Sequence, residues 1–243
     1  ADSGRGMLAT PRALQLQAPL RTALAMLGQA VRRDAPPFDP RTAERTFHIA
    51  GNDNAVLMLM LPVVQQVASF GGPGLKLAFR TPEPAQLAGQ MERGEIDLLV
   101  GGSRFVPATL HKSPVLLVEH RMAQRKGHPR GTGPLDLDSY CALRHIVVST
   151  NGSFHAFMDE QLAQQGRTRS VPIAVAQYNL VPPMLAATDM VCTLPSRFLE
   201  RFEGQLDTFD LPLSVPALDL SLAWHPRSEH DAGLRWLREQ VVA

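Results

Sequence analysis

The sequence predicts an α/β fold of two Rossmann-like lobes, joined by two crossover strands and preceded by an N-terminal linker helix. Short apolar strand patterns alternate with helix patterns in a βαβαβ series that occurs twice. This order builds parallel sheets with right-handed connections. A late apolar strand, Leu218 to Trp224, follows both series and predicts a return of the chain to the first lobe. A proline-rich stretch at residues 34–40 separates the first helix from everything after it.

The composition of the chain limits the classes of function that it can have. The chain has 243 residues, 44% of them hydrophobic, which is enough for a core in one large or two small domains. A net charge of +1 gives no strong electrostatic reason to bind nucleic acid or acidic membranes. The longest apolar run, residues 55–64, is broken by Pro62 and is shorter than a membrane span of about 20 residues. No secretory signal pattern opens the chain, so we expect a cytoplasmic protein that makes no membrane contact.

The two cysteines, Cys141 and Cys192, match neither a metal-ligand spacing nor a paired redox motif. We expect both to be buried free thiols in a reducing compartment. The sequence therefore predicts no metal site and no cofactor.

A first helix is predicted over residues 11–34, with Thr10 as its N-cap and Pro11 at its first position. Pro19 is expected to kink it or weaken one turn. Its apolar residues follow the spacing of a short coiled-coil seam: Leu16, Leu20, Leu24, Leu27 and Val31. We expect this stripe to pair with its copy in a second subunit of a homodimer or homotetramer; packing on its own domain is the alternative. Residues 35–45 form the linker.

The residues from Thr46 to Val64 predict a strand, a turn and a long apolar helix. Gly51 is interpreted as the residue that permits a tight reversal. Asn52, Asp53 or Asn54 then caps the helix. Such a unit presents unpaired backbone N–H groups at the carboxyl end of a strand, where ligands bind in open α/β sheets.

The remaining first-lobe elements are a strand at 75–80, a helix at 83–93 ending at Gly94, and a buried strand at 96–100. Gly101, Gly102 and Ser103 end that strand and are expected beside Gly51 to Asn54. A further strand is predicted at 115–121, then a turn at 126–129. The second series comprises helices at 136–143, 154–165, 180–187 and 195–202 and strands at 145–148, 171–175 and 190–194, followed by a terminal helix at 229–242. We assign residues 46–117 and 219–243 to the first lobe and 118–218 to the second.

Several stretches, in this order, resemble the LysR-type transcriptional regulators. They are Gly4-Arg5-Gly6-Met7, Thr10-Pro11-Arg12-Ala13, Thr46-Phe47-His48-Ile49-Ala50 with Asp53 and Leu61-Pro62, Gly94-Glu95-Ile96-Asp97-Leu98, Gly127-His128-Pro129, Val191-Cys192-Thr193-Leu194-Pro195 and Leu222-Ala223-Trp224-His225. The resemblance implies a periplasmic-binding-protein-like fold with a small-molecule effector between its lobes. It also implies that residues 1–10 end a winged helix-turn-helix, that the rest of this domain precedes Ala1, and that promoter DNA is bound through it.

The resemblance places effector contacts in four loops at strand ends and helix N-termini. Carried onto this chain, they are Asn52, Asp53, Asn54, Gly102, Ser103, Ser153, Phe154, His155, Gln177, Tyr178 and Asn179. Backbone donors at such positions suit a carboxylate or another polar group. Phe154 and Tyr178 offer faces for an apolar or aromatic body. The expected effector is a small molecule such as a carboxylate or an aromatic compound.

Each of these assignments has a structural alternative. Asn52, Asp53 and Asn54 are common turn and cap residues. His155 is otherwise an exposed first-turn histidine, and Tyr178 a core residue. Met58 and Met60 are interpreted as helix packing. An unpaired Asp53 carboxylate would repel an anionic effector unless it caps the helix.

Two other functions compete with transcriptional regulation. Ser153, His155 and Asp159 are the residue types of a hydrolase triad, but they crowd one turn and no Gly-x-Ser-x-Gly elbow is present, so we expect no enzyme. A periplasmic-type solute-binding protein would share the two lobes, yet would leave the N-terminal helix and proline-rich linker unexplained.

Overall fold

The computed structural model of this protein describes residues 38–242 and, before them, Leu20 alone. The predicted helix at 11–34, its apolar stripe and the residues on either side of it, up to residue 37, otherwise lie outside the described residues. The chain divides into two compact units, Ala1–Asp39 and Pro40–Ala243. The second unit contains two five-stranded sheets.

The first sheet has the strand order β2-β1-β3-β10-β4. Its strands are β1 (Arg45–Gly51), β2 (Leu75–Arg80), β3 (Leu98–Gly102), β4 (His111–Val118) and β10 (Leu218–Trp224). β1 pairs in parallel with β2 and β3, whereas β10 runs antiparallel to β3 and β4. The helices of this lobe are α1 (Asp53–Phe70), α2 (Pro84–Arg93) and α7 (Ala232–Val242).

The second sheet repeats this arrangement in the order β7-β6-β8-β5-β9. Its strands are β5 (His120–Arg125), β6 (Arg144–Val148), β7 (Ser170–Val175), β8 (Val191–Pro195) and β9 (Leu206–Asp210). The helices are α3 (Leu137–Ala142), α4 (Phe157–Ala163), α5 (Val181–Ala186) and α6 (Ser196–Leu199). The chain passes between the sheets after β4 and again between β9 and β10, which confirms the predicted two lobes with two crossovers.

The predicted single strand at 115–121 is wrong. Two strands occupy this region, β4 in the first sheet and β5 in the second, and Glu119 alone separates them. The backbone carbonyl of Glu119 accepts a hydrogen bond of 2.8 Å from the N–H of Ser196, which holds the crossover against the second lobe. No glycine or turn residue interrupts this stretch, so the sequence pattern does not reveal the change of sheet.

Other elements begin or end at residues different from those predicted. β3 begins at Leu98 rather than 96, and the Asp97 carboxylate just before it accepts a hydrogen bond of 2.8 Å from the His48 N–H of β1. α4 begins at Phe157 rather than 154. The predicted helices at 180–187 and 195–202 are each partly 3₁₀, over Tyr178–Leu180 and Glu200–Phe202. β9, whose sequence Leu-Asp-Thr-Phe-Asp is largely polar, was not predicted.

Gly51 has a different role from the one predicted. Its φ is not positive, so it is not required for a left-handed turn. A Cβ at this position would lie 2.8 Å from the carbonyl oxygen of Val100 on the neighbouring β3. Glycine therefore permits close packing of β1 on β3. By contrast Gly94, with φ 76°, caps α2 in the left-handed conformation as predicted.

α1 covers the first sheet. Of the three predicted cap residues Asn52 is the N-cap, and its side chain accepts a hydrogen bond of 2.8 Å from the Ala55 N–H. By length and composition alone this helix is apolar enough to cross a membrane. However, its buried side chains, Asn54, Ala55, Leu59, Met60 and Val63, pack inside the lobe, as those of a core helix do. The length and apolar composition of α1 are therefore weak evidence for a membrane span.

The cysteine prediction is half right. Cys192 is buried and Cys141 is half-buried, and both are free thiols. Burial raises the pKa of Cys192 to about 12, so its thiol stays protonated and unreactive near neutral pH.

Candidate functional site

A cavity of about 660 Å³ lies where the strand ends of the two sheets approach each other. The first lobe contributes residues that follow β1, β2 and β3, and the second lobe contributes residues around β5, β6, α4 and β8. The main contributors from the first lobe are Asn52, Thr81, Pro82, Leu99, Gly102, Arg104 and Phe105; those from the second are His120, Ser149, Asn151, Ser153, His155, Phe157, Arg169, Tyr178 and Thr193. Both lobes therefore contact whatever fills the cavity.

Asn52 joins helix capping to a place in the cavity wall. Its Oδ1 accepts the hydrogen bond from the Ala55 N–H, so the two N–H groups of its amide remain to donate. Across the cavity, the loop after β6 is folded by its own polar groups. The Ser149 hydroxyl donates to Asn151 Oδ1 at 2.7 Å, and the Ser153 N–H donates to the same oxygen at 3.1 Å. Capping and ligand contact are thus compatible at Asn52.

Aromatic rings form the apolar wall. The His120 and Phe157 rings lie with their centroids 4.5 Å apart. The Arg104 guanidinium lies 4.6 Å above the Phe105 ring and 6.0 Å from that of Phe157. Arg104 has no ion-pair partner among residues 38–242, so its charge is available at the exposed side of the cavity.

His120 is a neutral group in this wall. Burial, reinforced by the charge of Arg104 and opposed by the Pro216 carbonyl, lowers the pKa of His120 to about 4. Its Nδ1 is buried and has no hydrogen-bond partner within the described part of the chain. At neutral pH the imidazole is therefore uncharged, and it contacts the Phe157 ring as an aromatic group.

Below this wall lies a buried polar group centred on Arg169, whose side chain is 2% exposed. Its Nε and Nη2 donate to the two oxygens of Asp159, each at 2.9 Å. Its Nη1 donates to the Tyr140 hydroxyl at 3.2 Å, and Tyr140 lies 2.7 Å from the Thr193 hydroxyl. Burial would raise the pKa of Asp159, but the bonds from Arg169 and the Ala156 N–H lower it below its usual value. The ion pair is thus a fixed, net-neutral unit.

The LysR substrate binding domain family model matches residues 40–243, which is most of the chain. The chain belongs to the family of LysR-type transcriptional regulators. It is 30% identical over 243 residues to the HTH-type transcriptional activator NagR of Ralstonia sp., covering 99% of this chain and 80% of that protein.

Solved structures of transcriptional regulators support the same assignment. A probable transcriptional regulator from Pseudomonas aeruginosa is similar with a TM-score of 0.75 and 27% identity, over 99% of this chain and 80% of that one. The regulatory domain of MexT, a transcriptional activator in Pseudomonas aeruginosa, is similar with a TM-score of 0.69 and 30% identity, over 83% of this chain and 98% of that one. The periplasmic-binding-protein-like fold expected from the sequence is confirmed.

Five of the eleven residues predicted to contact the effector of this LysR-type regulator line the cavity. They are Asn52, Gly102, Ser153, His155 and Tyr178. His155 is exposed but reaches the cavity from the loop before α4, not from a first helical turn as the alternative assumed. Tyr178 also packs on the second-lobe core, with its ring centroid 5.8 Å from that of Phe198. Burial raises the pKa of Tyr178 to about 12, so its hydroxyl remains neutral.

The other six predicted residues lie outside the cavity lining. Asp53 binds the second lobe instead: its carboxylate accepts hydrogen bonds from the N–H groups of Tyr178 and Asn179 and from the Asn179 side chain, at 3.1, 2.8 and 2.8 Å. Asn54 is buried in α1, Ser103 hydrogen-bonds Ser221, and Phe154 and Gln177 are exposed. Met58 and Met60 do not line the cavity either. The predicted conflict between Asp53 and an anionic effector therefore disappears, since this carboxylate is already paired.

Sequence reasoning missed several cavity residues. Arg104 and Phe105 directly follow the predicted Gly102-Ser103 loop and were within reach of the same argument. His120 follows the undetected crossover, and its position depends on knowing that β5 begins there. Arg169 and Thr193 carry no local signal, because their side chains reach the cavity only through the tertiary packing of α3, α4 and β8.

The hydrolase residue set does not form a triad. The Ser153 hydroxyl donates to the His155 backbone carbonyl at 3.0 Å, and Asp159 is committed to Arg169. Ser153, His155 and Asp159 therefore do not form a hydrogen-bonded chain of nucleophile, base and orienting carboxylate. Among the described residues, no group of three or more His, Cys, Asp and Glu side chains is arranged to hold a metal ion.

Proposed function

We propose that this chain is the effector-binding and oligomerisation part of a cytoplasmic LysR-type transcriptional regulator and is not an enzyme. Its lobes are proposed to span residues 46–117 with 219–243, and 118–218. The observation that carries the proposal is the cavity of about 660 Å³, large enough for a small metabolite and lined by both lobes. The alternative, a periplasmic-type solute-binding protein, has no support from the family match.

The proposed effector is a small molecule with an apolar or aromatic body, such as an aromatic carboxylate. The rings of Phe105, His120 and Phe157 supply apolar and aromatic surface to the cavity wall. Arg104 supplies a cation beside that wall that has no ion-pair partner among residues 38–242, which suits a carboxylate. Asn52, Ser153 and His155 are proposed as polar contacts, and the remaining predicted residues as supports of the loops that carry them.

Effector binding is proposed to change the relative orientation of the lobes. A ligand shifts this equilibrium only if it binds one arrangement more tightly than the other. A cavity with walls from both lobes makes that difference possible, since separating the lobes removes the contacts with one of them. The change is then passed through subunit contacts to helix-turn-helix domains on promoter DNA, the third proposed partner.

Self-association is proposed to use the outer face of α1. This face exposes Leu57, Leu61 and Val64, of which Leu61 is 48% exposed. Contiguous exposed apolar side chains commonly mark protein interfaces. Leu61→Glu is expected to shift the oligomer toward smaller species in sedimentation analysis, whereas Glu92→Gln on the exposed side of α2 is not.

The test is a thermal-shift screen of a metabolite library rich in aromatic and aliphatic carboxylates, because a ligand of the folded state raises its apparent stability. Calorimetry then measures the affinity of each hit for three variants. Asn52→Ala and His155→Ala change residues that line the cavity, and Phe154→Ala changes one that does not. We expect the first two variants to weaken binding by roughly threefold to tenfold per lost hydrogen bond, and the third to leave it unchanged. Equal affinity in all variants contradicts the site. In the full-length regulator, unchanged promoter occupancy with a saturating hit contradicts the function.

A further inference from the structure

The bottom of the cavity contains three linked side chains, Tyr140, Arg169 and Thr193, which we call the polar floor. Arg169 and Thr193 line the cavity, and Tyr140 lies behind them with none of its surface exposed. None of the three belongs to the loops that the family resemblance assigned to the effector. Buried polar groups carry a desolvation cost unless every donor and acceptor is matched, so their hydrogen positions can be deduced.

Arg169 fixes the direction of the first bond. A guanidinium has five N–H donors and no acceptor. Two of its donors bind Asp159, and Nη1 lies 3.2 Å from the Tyr140 hydroxyl and 3.4 Å from His145 Nδ1. The Tyr140 oxygen must therefore accept from Arg169, and cannot return its own proton to it.

Tyr140 fixes the direction of the second bond. Its hydroxyl proton is buried, and the acceptor within reach among residues 38–242 is Thr193 Oγ1, at 2.7 Å. If Thr193 donated to Tyr140 instead, the tyrosine proton would be buried without an acceptor, at a cost of about 1–3 kcal/mol. Tyr140 thus donates to Thr193. The proton of the Thr193 hydroxyl is left without an acceptor in the described structure and is free to point into the cavity.

We propose that Thr193 is a directed hydrogen-bond donor to the effector, oriented by Tyr140 and Arg169 as positioning residues. Successive donors of this kind polarise one another, which strengthens the last one. Because Asp159 neutralises Arg169, the polar floor offers a donor without net charge. It therefore takes an uncharged acceptor oxygen, such as a ketone, ester or amide carbonyl, whereas a carboxylate would favour Arg104. This inference rests on the proposed function and adds an acceptor oxygen to the effector's chemistry.

The test compares two probes of nearly equal shape, acetophenone and α-methylstyrene, which differ in having C=O or C=CH₂ on the same ring. Each is titrated by NMR into the protein of residues 1–243. We expect the protein to prefer acetophenone by roughly threefold to tenfold, the value of one net hydrogen bond. Thr193→Val is expected to abolish this preference, and Thr193→Ser, which keeps the hydroxyl, to retain it.

The orientation step is tested by a double-mutant cycle. Tyr140→Phe is expected to reduce the preference, since the Thr193 hydroxyl then rotates freely, and to have no further effect in a Thr193→Val background. A merely structural role for Tyr140 would lower stability but leave the preference intact. A preference for acetophenone that survives Thr193→Val, or that is missing in the wild-type protein, overturns the proposed role of Thr193 as a donor. Neither result bears on the wider proposal, which is contradicted instead by unchanged promoter occupancy with a saturating hit from the metabolite screen.

Discussion

The carboxylate of Asp53, at the first turn of α1, accepts a hydrogen bond of 2.8 Å from the backbone N–H of Asn179 in the second lobe. Two more bonds, from the Tyr178 N–H and the Asn179 side chain, reach the same carboxylate. The neighbours of this contact, Asn52 and the Tyr178 ring, line the cavity. The link between the lobes is therefore adjacent in sequence to the residues that contact the cavity.

Asp53→Ala is expected to loosen this link. Removal of the carboxylate leaves the N–H groups of Tyr178 and Asn179 without their acceptor. Hydrogen exchange at these two amides is expected to rise by about tenfold or more, since each bond to a charged acceptor contributes roughly 1.5 kcal/mol or more. Exchange is measured by NMR, with Glu92→Gln as the control for loss of one acidic charge. Unchanged protection at both amides would show that the carboxylate does not hold the lobes together.

The Asp159–Arg169 pair is expected to be a sensitive point for stability. Asp159→Ala leaves the Arg169 guanidinium, 2% exposed, as an uncompensated buried charge. Breaking such a pair costs about 3–5 kcal/mol, which urea denaturation measures as a lower midpoint. Arg93→Gln breaks an exposed pair with Glu95 and is expected to leave the midpoint unchanged. Replacing both buried partners, as in Asp159→Ala with Arg169→Met, is expected to recover part of the loss. A single variant as stable as the wild type contradicts the interpretation.

Two histidines are expected to make the protein less stable in mild acid. Burial lowers the pKa of His120 and of His145 to about 4, against an ordinary value of 6.5 in the unfolded chain. The unfolded state therefore binds more protons between these two values, and stability falls as the pH drops from about 6.5 through about 4. Between pH 7 and 8 neither histidine is expected to contribute a slope.

The pH prediction is checked by urea denaturation at pH 7 and pH 5. His145→Gln is expected to reduce the difference between the two, because it removes one titrating group. His155→Gln serves as the matched control at an exposed histidine. An imidazole of His145 that titrates above pH 6 in NMR would refute the assignment.

Gly51→Ala is expected to destabilise the first lobe. Its new Cβ would lie 2.5 Å from Val100 Cγ2 and 2.8 Å from the Val100 carbonyl oxygen, so β1 or β3 must shift. Overpacking of this kind costs about 1–3 kcal/mol, which denaturant melts resolve. Gly204→Ala is the control, because a Cβ there meets nothing within 4 Å and no positive φ is involved. Equal stability of both variants would show that β1 and β3 can separate without cost.

Much of the fold could be predicted from sequence because local patterns and tertiary structure agree there. β2 and β10 run over the predicted residues, and Asp136 and Gly94 cap their helices through local geometry. The failures occur where tertiary contacts decide. The predicted strand runs from Val115 through Glu119 to Arg121 without a glycine or turn residue, although the chain changes sheet there. Phe154 looks helical, yet the loop of residues 149–156 is held by Asn151 and Ser153 side chains.

The candidate site likewise contains residues that the sequence could place and residues that it could not. Asn52 and Tyr178 follow strands and Gly102 ends one, and topology alone brings strand ends together. Arg169 and Thr193 reach the cavity from the N-terminal side of β7 and from within β8, which no linear pattern indicates. Asp53 shows the limit most clearly, because its partner is 126 residues away in the chain and its charge gives no indication of whether it faces a ligand or the other lobe.

The position of β10 has a consequence for the order in which the lobes are completed. All five strands of the second sheet lie between His120 and Asp210. In a growing polypeptide they are therefore all synthesised before Leu218. The first sheet must wait, because β4 pairs through β10, which inserts between β3 and β4. We therefore expect the first lobe to finish folding after the second, with β4 unpaired until β10 has left the ribosome.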